Sequence, residues 1–180
     1  ICDGKTSGIF QLESPGMTRF MMELGPDNLE DIIAGIALYR PGPMDQIPKY
    51  IANKKNPTSV SYAHPILEPI LNVTYGCMVY QEQVMEICRK LAGYSYGRAD
   101  LVRRAMSKKK LDVMEKERQI FVYGIEGDND CCGAVNKGVS VQVANDIFDE
   151  MSNFAKYAFN KSHAAAYAYV SYQTAYLKTH

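Results

Sequence analysis

A chain of 180 residues with 47% hydrophobic side chains carries enough apolar mass for a packed core, which excludes a disordered segment. Twenty basic and twenty acidic residues balance, so net charge selects no partner, and no apolar run approaches the roughly 18–20 residues that cross a bilayer. Five cysteines, an odd number without a CxxC pair, argue against a disulfide framework or a zinc site and for a reducing cytoplasm.

The opening ICDGKTSGIF has neither Met nor a signal-peptide pattern, and reads as a piece of a longer protein. Ser14, with Pro15 behind it, caps a short helix running to about Glu23. Asp27 followed by Glu30 forms a capping-box pattern ahead of LEDIIAGIALY, an apolar helix that must stop before Pro41. From about 40 to 76 six prolines break the chain into loops with short helices only, and Met78-Val79-Tyr80 reads as a short extended piece. QEQVMEICRKLAG has a 3.6-residue apolar period through Val84, Ile87, Cys88 and Leu91, with Gly93 as its stop. Ser95 caps the next helix, and others are expected over 111–125, 140–152 and 162–179, with a Gly/Asn/Asp loop over 127–138. The fold class is mainly α, a multi-helix domain over 1–180 with Pro-rich loops and little or no β.

Charge is segregated along the chain. Residues 1–48 carry three bases and seven acids, whereas 98–110 carry six bases (Arg98, Arg103, Arg104, Lys108, Lys109, Lys110) and one acid, Asp100. Arginine offers a planar fork for phosphate oxygens and lysine a mobile point charge. Two readings of this run stand at this point, a solvated helix face or a phosphate site flanked by Tyr94, Tyr96 and Gly97.

A second cationic cluster sits where physics disfavours it. Lys161 and His163 open the last helix, at the end that carries partial positive charge. Free amides there, with Lys161, the Ser162 hydroxyl and His163, make an anion site; the plainer reading is that Asn160 or Ser162 only caps. Behind it Ala165, Tyr169, Tyr172 and Tyr176 form one stripe, read as core. Asp128-Asn129-Asp130 has paired carboxylates, but Cys132 and Val139 stand where an EF-hand needs ligands, so it reads as an acidic turn and no metal site is assigned. His64 and His180 lack partners at ligand spacing, and Glu82 reads as structural.

Five blocks, FQLESPGM (10–17), ALYRPGPM (37–44), TYGCMVYQEQVM (74–85), GRADLVRRAMSKKK (97–110) and FNKSHAAAYAYVSYQT (159–174), resemble in order and spacing the signature blocks of the C-family bacterial replicative polymerases, the DNA polymerase III alpha subunits, in their fingers region. The resemblance implies a fragment of a DNA-directed DNA polymerase, a nucleotidyltransferase that joins a primer 3′ hydroxyl to an incoming deoxynucleoside triphosphate with release of pyrophosphate. It implies that Arg103, Arg104, Lys161, Ser162 and His163 bind the triphosphate, both clusters converging on it. It further implies DNA contacts by Arg98, Lys108, Lys109, Lys110 and, more weakly, Arg40, whose RPGP block reads first as a rigid turn. Catalytic aspartates and the Mg2+ they hold are expected outside the fragment, which alone is expected inactive. Implied partners are primer-template DNA, deoxynucleoside triphosphates, the remaining polymerase domains and replicase subunits such as the sliding clamp, in a bacterial, nucleoid-associated setting without a membrane. The chain departs from the family's usual residues at Cys77, Tyr96, Ser107 and Lys156. A stand-alone nucleic-acid-binding module and a helical adaptor are the competing classes.

Overall fold

The computed structural model describes residues 1–108, 111–128 and 130–180. Lys109, Lys110 and Asn129 lie outside the described residues, as do the side chains of Ser107, Lys108, Leu111 and Asp112. The expected mainly α class holds: the described residues form nine α-helices linked by loops and 3-10 turns, and no β-sheet. Packing divides the chain into two compact units, Ile1–Thr58 with Phe159–His180, and Ser59–Ala158.

In the first unit, α1 (Pro15–Leu24) begins as expected, with Ser14 accepting from the Met17 N–H and Pro15 at the first position. It buries Met17, Phe20, Met21 and Leu24. The start of α2 (Leu29–Leu38) corrects the sequence expectation. Asn28, not Asp27, is the cap, and its side chain accepts from the Asp31 N–H at 3.0 Å. Asp31 turns back to accept from the Asp27 N–H at 3.1 Å, so a reciprocal cap exists one register later, built on Asn28 and Asp31. α2 is buried along most of its length because Gly35 lets α1 lie against it; a Cβ there would meet Met21 Cε at 2.3 Å. The RPGP turn leads through a 3-10 turn (Pro43–Gln46) into α3 (Ile47–Lys55), whose Lys54 returns to Asp31 at 3.1 Å and Asp27 at 3.0 Å.

α9 (Lys161–Thr179) packs on α2 through the small residues Ala164, Ala168 and Ser171, which permit close approach. The Tyr stripe expected in the core is therefore on the outside: Tyr169, Tyr172 and Tyr176 are each more than half exposed. The reason is volume, since a helix packed closely along α2 presents its small face and turns its large one away. The loop before α1 is tied down by Ser171, which donates to the Phe10 carbonyl at 2.8 Å, and by Thr174, which accepts from the Phe10 N–H at 3.1 Å.

The second unit contains α4 (Glu68–Leu71), α5 (Gln81–Ala92), α6 (Tyr96–Lys108), α7 (Leu111–Tyr123) and α8 (Val141–Ala155). The periodic residues of α5, Val84, Ile87, Cys88 and Leu91, meet Val102 and Met106 of α6, Phe121 of α7 and Phe148 of α8 in one core. Phe121 stacks obliquely on Phe148 at 5.5 Å and receives the edge of Tyr94 at 6.3 Å. Met78 to Tyr80 is organised by Gln83 instead of a sheet, its Oε1 accepting from the Val79 and Tyr80 amides at 2.8 and 2.9 Å. The 127–138 loop is stitched to two helix ends by Gly133 N–H to the Ala92 carbonyl and Ala134 N–H to the Phe121 carbonyl. Gly133, at φ +84°, is required there, since a Cβ would sit 2.3 Å from the Gly124 nitrogen. Lys156, where the family often has glycine, takes an ordinary helical φ of −65°, so its side chain costs no backbone strain.

Candidate functional site

The cations singled out from sequence fall in both units: Lys161, His163 and Arg40 in the first, Arg98, Arg103 and Arg104 in the second.

At the start of α9 the cap is Asn160, whose Oδ1 accepts from the His163 N–H at 2.9 Å. Lys161 is balanced by a carboxylate from the first turn of α2, its Nζ lying 3.0 Å from Glu30 Oε2. The dipole penalty at the entrance of α9 is thereby offset by an acid that is itself well placed at the entrance of α2. Ser162 and His163 are exposed. The His163 ring lies 4.3 Å from Tyr167 and edge-on to Phe159 at 5.3 Å, and Phe10 meets Tyr167 at 5.3 Å. Arg40 lays its guanidinium 4.1 Å over the Phe159 ring and donates from Nε to the Ala37 carbonyl at 3.1 Å. Desolvation lowers the Arg40 pKa from its ordinary value, yet a guanidinium of that basicity keeps its charge at neutral pH.

Arg40, His163 and the rings of Phe10, Phe159 and Tyr167 line a cleft of about 590 Å³ within the first unit. Phe10, Phe159, His163 and Tyr167 provide aromatic surface; Arg40, Glu13, Gln11 and Tyr39 provide polar edges. Gln11 takes φ +65°, a left-handed conformation uncommon outside glycine, on the rim of this cleft. Such a wall suits a flat, polar-edged ligand.

In the second unit each arginine has a carboxylate. Arg98 donates from Nη2 to both oxygens of Glu117, each at 2.8 Å, and its guanidinium lies 5.7 Å from the Tyr94 ring. Asp100 receives Arg103 through Nε at 3.0 Å and Nη2 at 2.7 Å on one oxygen, and Arg104 at 2.8 Å on the other. The side chain of Arg103 is 16% exposed and that of Arg104 64%, so Arg104 is the one that faces solvent. Arg103, followed by Arg104, holds the Asp100 carboxyl below its ordinary range, desolvation opposing. Of the expected aromatic neighbours, Tyr94 is buried and its phenol is pushed upward by desolvation, with charges at Cys88 and Glu117 adding. Tyr96 is exposed, its ring 3.4 Å beneath the Arg89 guanidinium. Cys88 is a core thiol whose pKa desolvation pushes up to about 12.

Asp128 Oδ1 accepts from the Asp130 N–H at 2.8 Å, as an acidic turn does. Among the described residues no three His, Cys, Asp or Glu side chains cluster closely enough to hold a metal ion, and no helix is long and apolar enough to cross a membrane. His64 is a local cap, its Nδ1 accepting from the Ile66 N–H. Sequence reasoning missed the partners Glu30 and Glu117, which lie far along the chain from the cations they hold; only Asp100, at i−3 and i−4, was readable from spacing.

Residues 1–129 match the model of the bacterial DNA polymerase III alpha subunit finger domain. The chain is 49% identical over all 180 residues to the DNA polymerase III subunit alpha of Halalkalibacterium halodurans, covering 15% of that protein. It is 48% identical over its full length to the Staphylococcus epidermidis protein of the same name, and 52% identical over 98% of its length to that of Thermus aquaticus, spanning 16% and 14% of them. The chain thus spans about one-seventh of these relatives, and by both comparisons it belongs to the bacterial DNA polymerase III alpha subunit family, within the finger domain.

Proposed function

We propose that the chain is the fingers region of a bacterial replicative DNA-directed DNA polymerase, binding the triphosphate of the incoming deoxynucleotide and contacting primer-template DNA. In this reading Arg103, Arg104, Lys161, Ser162 and His163 bind triphosphate, while Arg40, Arg98, Lys108, Lys109 and Lys110 contact DNA. The observation that carries it is the sharing of one cleft by Arg40 and His163, which come from distant signature blocks, together with the solvent-facing guanidinium of Arg104. Nucleotidyl transfer works by positioning and charge neutralisation, so preformed guanidinium and imidazole donors are the contribution such a region makes. Magnesium would supply charge neutralisation at the reacting phosphate, its ligands being carboxylates elsewhere in the parent polymerase. The parent works in the cytoplasm with the other replicase subunits.

Of the proposed DNA contacts, Arg98 is the one already committed to a partner carboxylate, its Nη2 donating to both oxygens of Glu117. The test is steady-state primer extension by the parent polymerase carrying Arg104→Ala. Loss of a charge-assisted contact to phosphate is worth about 1.5–3 kcal/mol, so kcat/KM for the nucleotide is expected to fall about tenfold or more. Unchanged kinetics would reject the assignment.

A further inference from the structure

We propose that Asp100 is a positioning residue that sets nucleotide affinity: it holds Arg103 and Arg104 as a preformed anion fork and occupies Arg104 until a phosphate replaces it. The inference rests on the reading of the two arginines given above.

Two guanidiniums on successive residues of α6 repel one another and have many rotamers. Asp100 removes both problems with one carboxylate, each oxygen committed to a different arginine. The two arms are unequal. Arg103 gives Asp100 two donors, Nε and Nη2, and is mostly shielded from water. Arg104 reaches the other oxygen from the i+4 position and is 64% exposed, where ion pairs are weak and screened. A polyphosphate, with more charge and more acceptor oxygens than a carboxylate, can take Arg104 while Asp100 keeps Arg103 in place. The carboxylate is thus an anchor on one side and a competitor on the other. Its competition is constant at working pH, because both arginines keep it ionised.

The experiment uses the parent polymerase and two anions, the deoxynucleoside triphosphate as substrate and inorganic pyrophosphate as inhibitor. Asp100→Asn removes the competing charge with little change of shape. It is expected to lower both the KM for nucleotide and the inhibition constant for pyrophosphate by about two- to threefold, the scale of an exposed i,i+4 ion pair. Asp100→Ser, which removes the anchor of Arg103 along with the competing charge, should gain less than Asp100→Asn; an equal gain would show that the anchor contributes nothing. Asp100→Glu, which keeps the carboxylate, should restore both constants toward wild type. A residue that merely stabilises α6 would shift the melting temperature and leave both constants alone; unchanged or weakened constants in Asp100→Asn overturn the proposal. Arg104→Ala in parallel separates the two levels. If it raises neither constant, the arginine reading itself fails; if it raises both while Asp100→Asn alters neither, only the role of Asp100 fails.

Discussion

Gln83 offers the most exacting test of the packing in the second unit. The residue is 6% exposed and its amide is used to capacity: Oε1 accepts from Val79 and Tyr80, and Nε2 donates to the Ile70 carbonyl at 3.2 Å and Thr74 Oγ1 at 2.7 Å. Gln83→Leu keeps most of the volume and orphans two backbone N–H groups belonging to residues only 2% and 1% exposed. Each orphaned buried donor costs about 1–3 kcal/mol, while Thr74 retains its contact to the Cys77 carbonyl at 2.6 Å and loses less. Allowing for partial relaxation, the variant should be destabilised by about 3 kcal/mol. Urea unfolding followed by circular dichroism reads the total, with an unchanged slope showing that the compactness of the two states is preserved. Amide hydrogen exchange reads the site: protection at Val79 and Tyr80 should fall by about 100-fold, the equivalent of that free energy. A loss below about 0.5 kcal/mol, within the range of ordinary surface substitutions, would refute the view that Gln83 organises this segment.

Lys54→Met removes the cation facing Asp31, a carboxylate 1% exposed, and should cost about 3 kcal/mol; adding Asp31→Asn should recover part of it, as a double-mutant cycle would show. Gly133→Ala should cost more than Gly35→Ala in thermal melts, because the new methyl meets backbone within 2.3 Å at positive φ in the first case and the mobile end of Met21 in the second. The folded-state pKa of Asp100 is depressed, so its contribution to stability is present above the ordinary carboxylate pKa near about 4 and is lost as pH falls through the lower folded value. The melting-temperature difference between wild type and Asp100→Asn should accordingly be full at pH 6 and vanish in strong acid; a difference that grows on acidification would contradict the ion-pair geometry.

Local signals were legible wherever neighbours in sequence supply the physics. Ser14 with Pro15, the period of α5 with Gly93, and the proline-broken stretch after Arg40 all place helix ends through contacts spanning a few residues. The cap of α2 slipped by one residue because Asp27 and Asn28 are both good caps, and the deciding contact is Lys54 reaching Asp27 and Asp31 from α3. The stripe of α9 failed for a related reason. Hydrophobic spacing identifies a face without saying which face a partner helix can accommodate, and close packing on α2 favours the small one.

By itself the sequence determined that the chain is helical, approximately where most of its helices begin and end, and which signature blocks carry the cations, because capping, periodicity and residue identity are local or directly readable. Only the tertiary structure decided which carboxylate restrains each cation and which arginine reaches solvent. Glu30 meets Lys161 and Glu117 meets Arg98 across long separations in the chain. An ion pair depends on distance in space, and distance in space is what helix packing supplies.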